Sequence, residues 1–366
     1  MNRLENLLLY AAEKGVSDVH IKLGKPAVFR RHGALVVHPK AGETTQHELL
    51  NFMENLTTSE QRESLRKRGS VDVSYEVENG IRFRVHAFAN RGELSLAVRV
   101  VNPAALNLEL LNLPQAVAEM AEATRGLILV TGASGSGKST TVASILQTIN
   151  QKRSAHVVTI EDPIEYVFQD DRSIFSQREI GIDSVGFADA LKASLRQDPD
   201  VILVGEIRDY ETVKTALIAA ETGHLVISTL HTIDAVETIQ RITAMFPGDE
   251  RETARHILSS VLHGVVSQRL VSKTDEKGRV PAVEILVANE NVRELIRESE
   301  RLEEIRDVIA KAGATYGMQT FDQSLMKHFE EGLVSYEEAL RQSSNPADFK
   351  LLVSGISGTS AKNWGS

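Results

Sequence analysis

The sequence predicts an α/β protein in which a parallel sheet is covered by helices on both faces and a smaller α+β domain precedes it. Two observations carry this expectation. From about residue 115 onward, short apolar runs alternate with segments of helical periodicity, the pattern of strands buried on both faces. Residues 1–103 instead mix one amphipathic helical start with strand-like pieces.

Taken in order, Leu4, Leu7, Leu8 and Ala11 recur at helical spacing and predict a first amphipathic helix. Val71-Asp72-Val73-Ser74-Tyr75 and Ile81 to Phe88 alternate as strands do. Asn102-Pro103-Ala104-Ala105 through Asn112-Leu113-Pro114 lose periodicity and gain turn residues, which places a linker at 104–114. The second domain is expected over 115–354. Residues 355–366 are small and polar and predict a disordered tail, with the lone Trp364 inside it.

Composition excludes several classes. With 41 Lys+Arg against 50 Asp+Glu the formal net charge is −9, which argues against non-specific duplex binding as the main task. The chain has no Cys, so disulfides and thiolate metal sites are out. No apolar run approaches the roughly 18 residues of a membrane span, and the start, Met1-Asn2-Arg3-Leu4-Glu5-Asn6, lacks the apolar core of a signal peptide. A cytosolic protein without a membrane span is expected.

The most specific motif follows the apolar run Gly126 to Thr131. Gly132, Ala133, Ser134, Gly135, Ser136, Gly137, Lys138, Ser139 and Thr140 form a glycine-rich loop that enters the helical segment Thr141 to Leu146, the context of an NTP site. Glycines lack a Cβ, so such a loop can turn its N–H groups inward around an anion. The helix start adds partial positive charge. Lys138 can reach the β- and γ-phosphates, and Ser139 can offer a hydroxyl to Mg²⁺.

Three further clusters point to the same chemistry. A β-branched strand, Val157 to Ile160, delivers Glu161, Asp162 and Glu165 to its C-terminal end, where ligands sit in open α/β sheets. One of these carboxylates can act as general base or orient the attacking water. Val201 to Val204 leads to Glu206 in the form of a Walker B strand, with Gly-Glu where many NTPases carry Asp, and Glu206 is expected to hold Mg²⁺ through water. The strand at 225–230 is bracketed by His224 and His231, of which His231, at the C-terminal end, is the better candidate γ-phosphate sensor.

Together these four clusters resemble the secretion and type IV pilus ATPases, with Walker A at 132–139, an acidic Asp box at 161–166, Walker B at 201–206 and a His box at 223–232. Within that family the chain is most similar to the pilus retraction ATPases of the PilT and PilU kinds, from Ser17-Asp18-Val19-His20-Ile21 to about Leu351. The resemblance includes Ser176-Gln177-Arg178-Glu179-Ile180-Gly181 and Leu195 to Asp200, which spacing alone does not interpret. Extension ATPases of the PilB kind carry a longer N-terminal region and a tetracysteine motif, neither of which is in this chain, so retraction is favoured. The loop departs from the Gly-Pro-Thr-Gly common in retraction ATPases. Asn291 to Glu298 matches the family's Ala-Ile-Arg-Asn-Leu-Ile-Arg-Glu only in part, and Gly317 to Leu325 resembles the PilU kind at least as much as the PilT kind.

The resemblance implies a RecA-like P-loop NTPase core with a smaller α+β, PAS-like N-terminal domain. It implies ATP hydrolysis with Mg²⁺, with Glu165 as catalytic base, Glu161 beside it, Glu206 as the Walker B glutamate and His231 as the final His-box residue. It implies a homohexamer whose nucleotide sites are closed by arginines of the neighbouring N-terminal domain, for which Arg84, Arg91 and Arg99 are the candidates. For each, an ordinary surface ion pair is the competing reading. The implied partners are an inner-membrane pilus platform protein, where the motor would associate peripherally, and a paralogous retraction ATPase. Two other classes stay open from the residues: a nucleic-acid translocase, disfavoured by the acidic charge and the lack of a basic and aromatic stacking array, and a regulatory nucleotide-binding protein without useful turnover.

Overall fold

The computed structural model describes residues 3–31, 34–38, 42–77, 81–101, 107–275 and 278–354. The first residues of the expected linker and the whole of the expected tail lie outside them. The chain divides into two compact units, 1–105 and 106–366.

The first unit contains β1 (Asp18–Lys22), β2 (Val28–Arg31), β3 (Ala34–Val37), β4 (Ser70–Glu76), β5 (Arg82–Asn90) and β6 (Glu93–Val101). They form one antiparallel sheet in the order β3-β2-β1-β6-β5-β4. Strand alternation sorts its side chains onto two faces. Val19, Ile21, Phe83, Val85, Ala87, Leu96 and Val98 are buried in one core with Leu4, Leu8 and Ala11 of helix Arg3–Glu13 and with Leu49 and Phe52 of helix Gln46–Leu56. The intervening residues, among them Asp18, Arg84, His86 and Arg99, occupy the other face. Capping boxes at Thr45 and Thr58 start helices Gln46–Leu56 and Ser59–Arg68 by satisfying N–H groups that a helix leaves unbonded.

The second unit contains β7 (Gly126–Thr131), β8 (His156–Glu161), β9 (Ile174–Glu179), β10 (Val201–Val204), β11 (Leu225–Leu230), β12 (Leu262–Ser272) and β13 (Arg279–Val287). Their order is β13-β12-β7-β11-β10-β8-β9. All neighbours pair in parallel except the β12–β13 hairpin. Because the parallel strands are buried on both faces, alternate residues feed two cores. Leu127, Leu129, Ile202, Val204 and Val226 pack with helices Tyr210–Glu221 and Ala235–Ala244. Ile128, Val130, Val201, Leu203 and Ile227 pack with helix Lys138–Lys152. A smaller cluster joins Val271, Val280 and Ala282 of the hairpin to Leu325 and Phe349 of the C-terminal helices.

A 3-10 turn, Ser299–Glu304, leads into a helix, Ile305–Lys311, and Leu302, Ile305 and Ile309 along them are buried. Among the described residues no helix is long and apolar enough to cross a membrane.

Candidate functional site

Parallel pairing brings four strand ends to one edge. The register sets Thr131 beside Leu230 and Val204 beside Ile160, so the segments after β7, β8, β10 and β11 emerge together. The glycine-rich loop, the Asp box, Glu206 and His231 all follow these ends.

The loop is shaped by close approach. Gly132 has φ +140°, and a Cβ there would lie 2.3 Å from the Gln268 carbonyl oxygen of β12. Gly137 has φ +92°, and its Cβ would lie 2.6 Å from Gln268 Nε2. At Gly132 no other residue type fits without displacing the backbone of β12, whereas at Gly137 a side chain would have to push aside the Gln268 amide and adopt a left-handed φ. Lys138, buried at the first position of helix Lys138–Lys152, donates to the carbonyls of Gly132 (2.7 Å) and Ala133 (3.0 Å). Burial lowers the pKa of its ammonium and the charge of Glu165 opposes that shift. The buried Ser136 hydroxyl has no hydrogen-bond partner, while Ser134, Gly135 and Ser139 are exposed. Thr140 shares a 2.9 Å hydrogen bond with the Tyr166 hydroxyl. A cavity of about 370 Å³ adjoins the loop and is lined by Ile233, Leu270, Arg279 and Gln342 as well as loop residues.

At the end of β8, Glu161 is buried and accepts hydrogen bonds from the Thr159 hydroxyl (2.7 Å), the Glu165 N–H (3.4 Å) and Gln177 Nε2 (3.4 Å). Burial outweighs these donors and raises its pKa to about 7. Glu165, four residues on, is exposed. The two carboxylates therefore differ in kind: one is a buried strut and the other faces solvent.

Beyond β10, Glu206 forms an ion pair with Arg208 and lies 3.2 Å from His231 Nε2. Burial, followed by the charges of Lys138 and Arg208, lowers the His231 pKa and favours its neutral form. Lys138 thus stands near enough to the His box and to Glu165 for their charges to act on one another.

The other histidine of the His box stands apart from these residues. His224 precedes β11 at the opposite edge of the sheet, where its carbonyl accepts from the Gly126 N–H and its Nδ1 pairs with the Ala219 carbonyl at 2.9 Å. One full strand separates it from the glycine-rich loop, because the two histidines bracket the strand rather than share an end. In the first unit, Arg84 and Arg99 stand directly opposite each other on β5 and β6. Arg99 Nε donates to Asp18 Oδ1 at 3.0 Å and Arg84 lies 3.7 Å from Asp72. Arg91 occupies the β5–β6 turn with φ +54°.

Sequence reading missed Gln268. Its Oε1 accepts from the Thr141 hydroxyl (2.8 Å) and its Nε2 donates to the Ser136 carbonyl (2.8 Å), tying β12 to both sides of the loop. Beside it, Thr131 donates to Ser267 at 3.0 Å. No local signal marks these residues, since the contacts depend on a pairing across more than a hundred positions.

A family model described as type II/IV secretion system protein matches residues 1–341. This chain belongs to that family. It is 46% identical over 83% of its length, and 80% of the relative, to a twitching motility protein of Neisseria gonorrhoeae. It is 39% identical over 94% of its length to the type IV pilus retraction ATPase PilT of Pseudomonas aeruginosa, covering 99% of that protein, and 36% identical over 95% to PilU of the same organism, covering 91%. Among solved structures it superposes on a crystal structure of the pilus retraction motor PilT with bound ADP at a TM-score of 0.87 and 42% identity, covering 95% of this chain and 98% of that one. The RecA-like α/β fold of a secretion ATPase is therefore the fold of this chain.

Proposed function

We propose that this protein is an ATP-hydrolysing ring motor that powers type IV pilus retraction. The observation that carries the reading is the convergence of the glycine-rich loop, Glu165 and the Glu206–His231 pair at one sheet edge. Identity of 39% to a PilT and 46% to a twitching motility protein supports the retraction assignment. A PilU-type accessory retraction ATPase is the second reading, favoured by the 36% identity to PilU and by the Gly317 to Leu325 segment.

The residues fit a nucleoside triphosphate. Gly132 and Gly137 form a cradle that a Cβ would fill, the orphaned Ser136 hydroxyl lines it, and the adjoining cavity leaves room for the nucleoside. They also fit Mg²⁺. Among the described residues no group of three or more His, Asp or Glu could enclose a metal, which suits an ion that keeps most of its waters and is shared with phosphate. Ser139 would hold it directly and Glu206 through water, and the ion would neutralise charge on the β- and γ-phosphates.

In the mechanism, loop N–H groups and Lys138 bind the phosphates, and Lys138 exchanges its loop carbonyls for phosphate oxygens. Glu165 accepts a proton from water as that oxygen attacks the γ-phosphorus; the bond to the bridging oxygen breaks, giving ADP and phosphate. His231, neutral and hydrogen-bonded with Glu206, reports the γ-phosphate to the segment after β11. Arginines from a neighbouring subunit, chosen among Arg84, Arg91 and Arg99, complete the site of a homohexamer, where a planar guanidinium can bridge two phosphate oxygens. Closure and release around the ring become work on a pilus platform protein at the cytoplasmic face of the inner membrane, beside a paralogous ATPase.

The test is steady-state Mg²⁺-ATPase activity against protein concentration, with mass by light scattering, on wild type and on Arg84→Ala, Arg91→Ala and Arg99→Ala. Activity should rise with hexamer formation and collapse in at least one variant that still binds nucleotide. Activity that belongs to the monomer and ignores all three arginines refutes the shared site.

A further inference from the structure

The loop that carries Glu165 lacks support of its own. Among the described residues, residues 162–169 form no backbone-to-backbone hydrogen bond. An exposed carboxylate on such a segment would sample many positions, and a displacement of about 1 Å from the reacting water can cost on the order of a hundredfold in rate.

Side chains support it instead. Glu161 accepts from the Glu165 N–H (3.4 Å), Thr140 meets the Tyr166 hydroxyl (2.9 Å) and Asn150 Nδ2 donates to the Gln169 carbonyl (2.8 Å). Three alternate residues of β9, the outermost strand of the sheet, hold the two flanks of Glu165. Phe175, Gln177 and Glu179 share one face of that strand and run along the loop in the opposite sense. Phe175 stacks on Phe168 with ring centroids 4.5 Å apart. Gln177 uses both ends of its amide: Oε1 accepts from the Phe168 N–H (2.8 Å) and Nε2 donates to the Tyr166 carbonyl (2.8 Å). Glu179, buried, accepts from the Ile164 N–H at 3.1 Å. These side chains replace the backbone ladder that an additional strand would have provided. Glu165 lies between Ile164 and Tyr166, the two residues gripped on either side. Ser176 and Arg178, on the other face, serve different contacts: Ser176 with His156, Arg178 with the carbonyls of Asp183 and Ala190.

We infer that Gln177 and Glu179 are positioning residues for Glu165: they clamp both flanks of the Asp-box loop and so fix where its carboxylate stands, without touching nucleotide themselves. The inference rests on the proposed role of Glu165 as base. It gives the segment Ser176 to Gly181, which sequence spacing does not interpret, a mechanical meaning.

The experiment compares Gln177→Met, Glu179→Ala, Glu179→Gln and Glu165→Gln as full-length rings of verified mass, measuring kcat, KM and binding of a fluorescent ATP analogue. Gln177→Met keeps the length of the side chain and removes its hydrogen bonds to Phe168, Tyr166 and Glu161, and the verified ring mass and analogue binding check that the variant folds. Gln177→Met and Glu179→Ala should each lower kcat on the order of 10- to 100-fold while KM and analogue affinity stay within about twofold. Glu179→Gln, which still offers an oxygen to the Ile164 N–H, should recover most of the loss seen in Glu179→Ala. Adding Gln177→Met to Glu165→Gln should cause little further loss. Wild-type kcat in Gln177→Met and Glu179→Ala, with Glu165→Gln inactive, overturns the clamp and leaves the base standing. Parallel loss of kcat and affinity also overturns it, because that is the signature of a merely structural role. Full turnover in Glu165→Gln would instead remove the base assignment on which the clamp depends.

Discussion

Gly132 and Gly135 have positive φ and belong to one loop, yet their surroundings differ. At Gly132 an added methyl would meet a backbone carbonyl of β12 at 2.3 Å, whereas at Gly135 nothing lies within 4 Å. Gly135→Ala therefore carries only the strain of a left-handed residue, about 1 kcal/mol, while Gly132→Ala must also displace a strand and should cost about 3 kcal/mol or more. Chemical denaturation of the two variants checks the ordering, and equal losses would mean that β12 yields easily. The glycines were legible in the sequence because phosphate binding imposes a local pattern of φ values. Their steric reason was not, because Gln268 reaches the loop only through the pairing of β12 with β7. His224 is a different case: it precedes β11, and ligands sit beyond the C-terminal ends of parallel strands, so its distance from the loop follows from the same rule that favours His231.

The β12–β13 hairpin gathers the consequences of that pairing. On β12, Ser267 meets Thr131, Gln268 meets the loop, and Arg269 donates to the Gln342 carbonyl at 2.6 Å while its guanidinium covers the Phe321 ring at 3.9 Å. Opposite Ser267 on β13 stands Glu284, buried, accepting from the Ala235 N–H at 2.9 Å. Glu284 thus ties the hairpin to the start of the helix that follows the His box. Burial raises its pKa from 4.5 to about 7, although Arg269 opposes the shift. Below pH 4.5 folded and unfolded chains both hold the proton, whereas between 4.5 and about 7 only the folded chain does, so this group's contribution to stability falls as pH rises through that window. Glu284→Gln keeps an oxygen for the Ala235 N–H and removes the titration. Relative to wild type, the variant should gain on the order of 1–3 kcal/mol between about pH 4.5 and pH 8. Comparing the two proteins cancels the slope of the same sign expected from Glu161. Parallel stability curves would mean that Glu284 ionises in the folded protein as readily as in the unfolded one.

At the scale of the molecule, each unit has its own core, and each presents a chemically distinct half of the proposed site. The second unit carries the loop, the Asp box and the Glu206–His231 pair. The first places Arg84 and Arg99 side by side on one sheet face, an arrangement in which like charges repel and nearby Asp72 and Asp18 offset the repulsion. Arg99 keeps 67% of its side chain exposed beyond the pair with Asp18, so an anion from another subunit can reach it. Subunit mixing separates a shared site from a self-contained one. Lys138→Ala chains lack the phosphate-binding lysine but keep all arginines, and chains lacking the finger arginine keep Lys138. Each alone should be inactive as a ring. Co-assembled from equal amounts by joint refolding or co-expression, random rings contain intact junctions on the order of a quarter of the time, so turnover should reappear at roughly that fraction of wild type. If each chain instead completes its own site, every subunit in the mixture is defective and no turnover returns. The arginine whose variant complements Lys138→Ala is the finger, which the sequence leaves undecided among three because that choice depends on the geometry of a neighbouring copy.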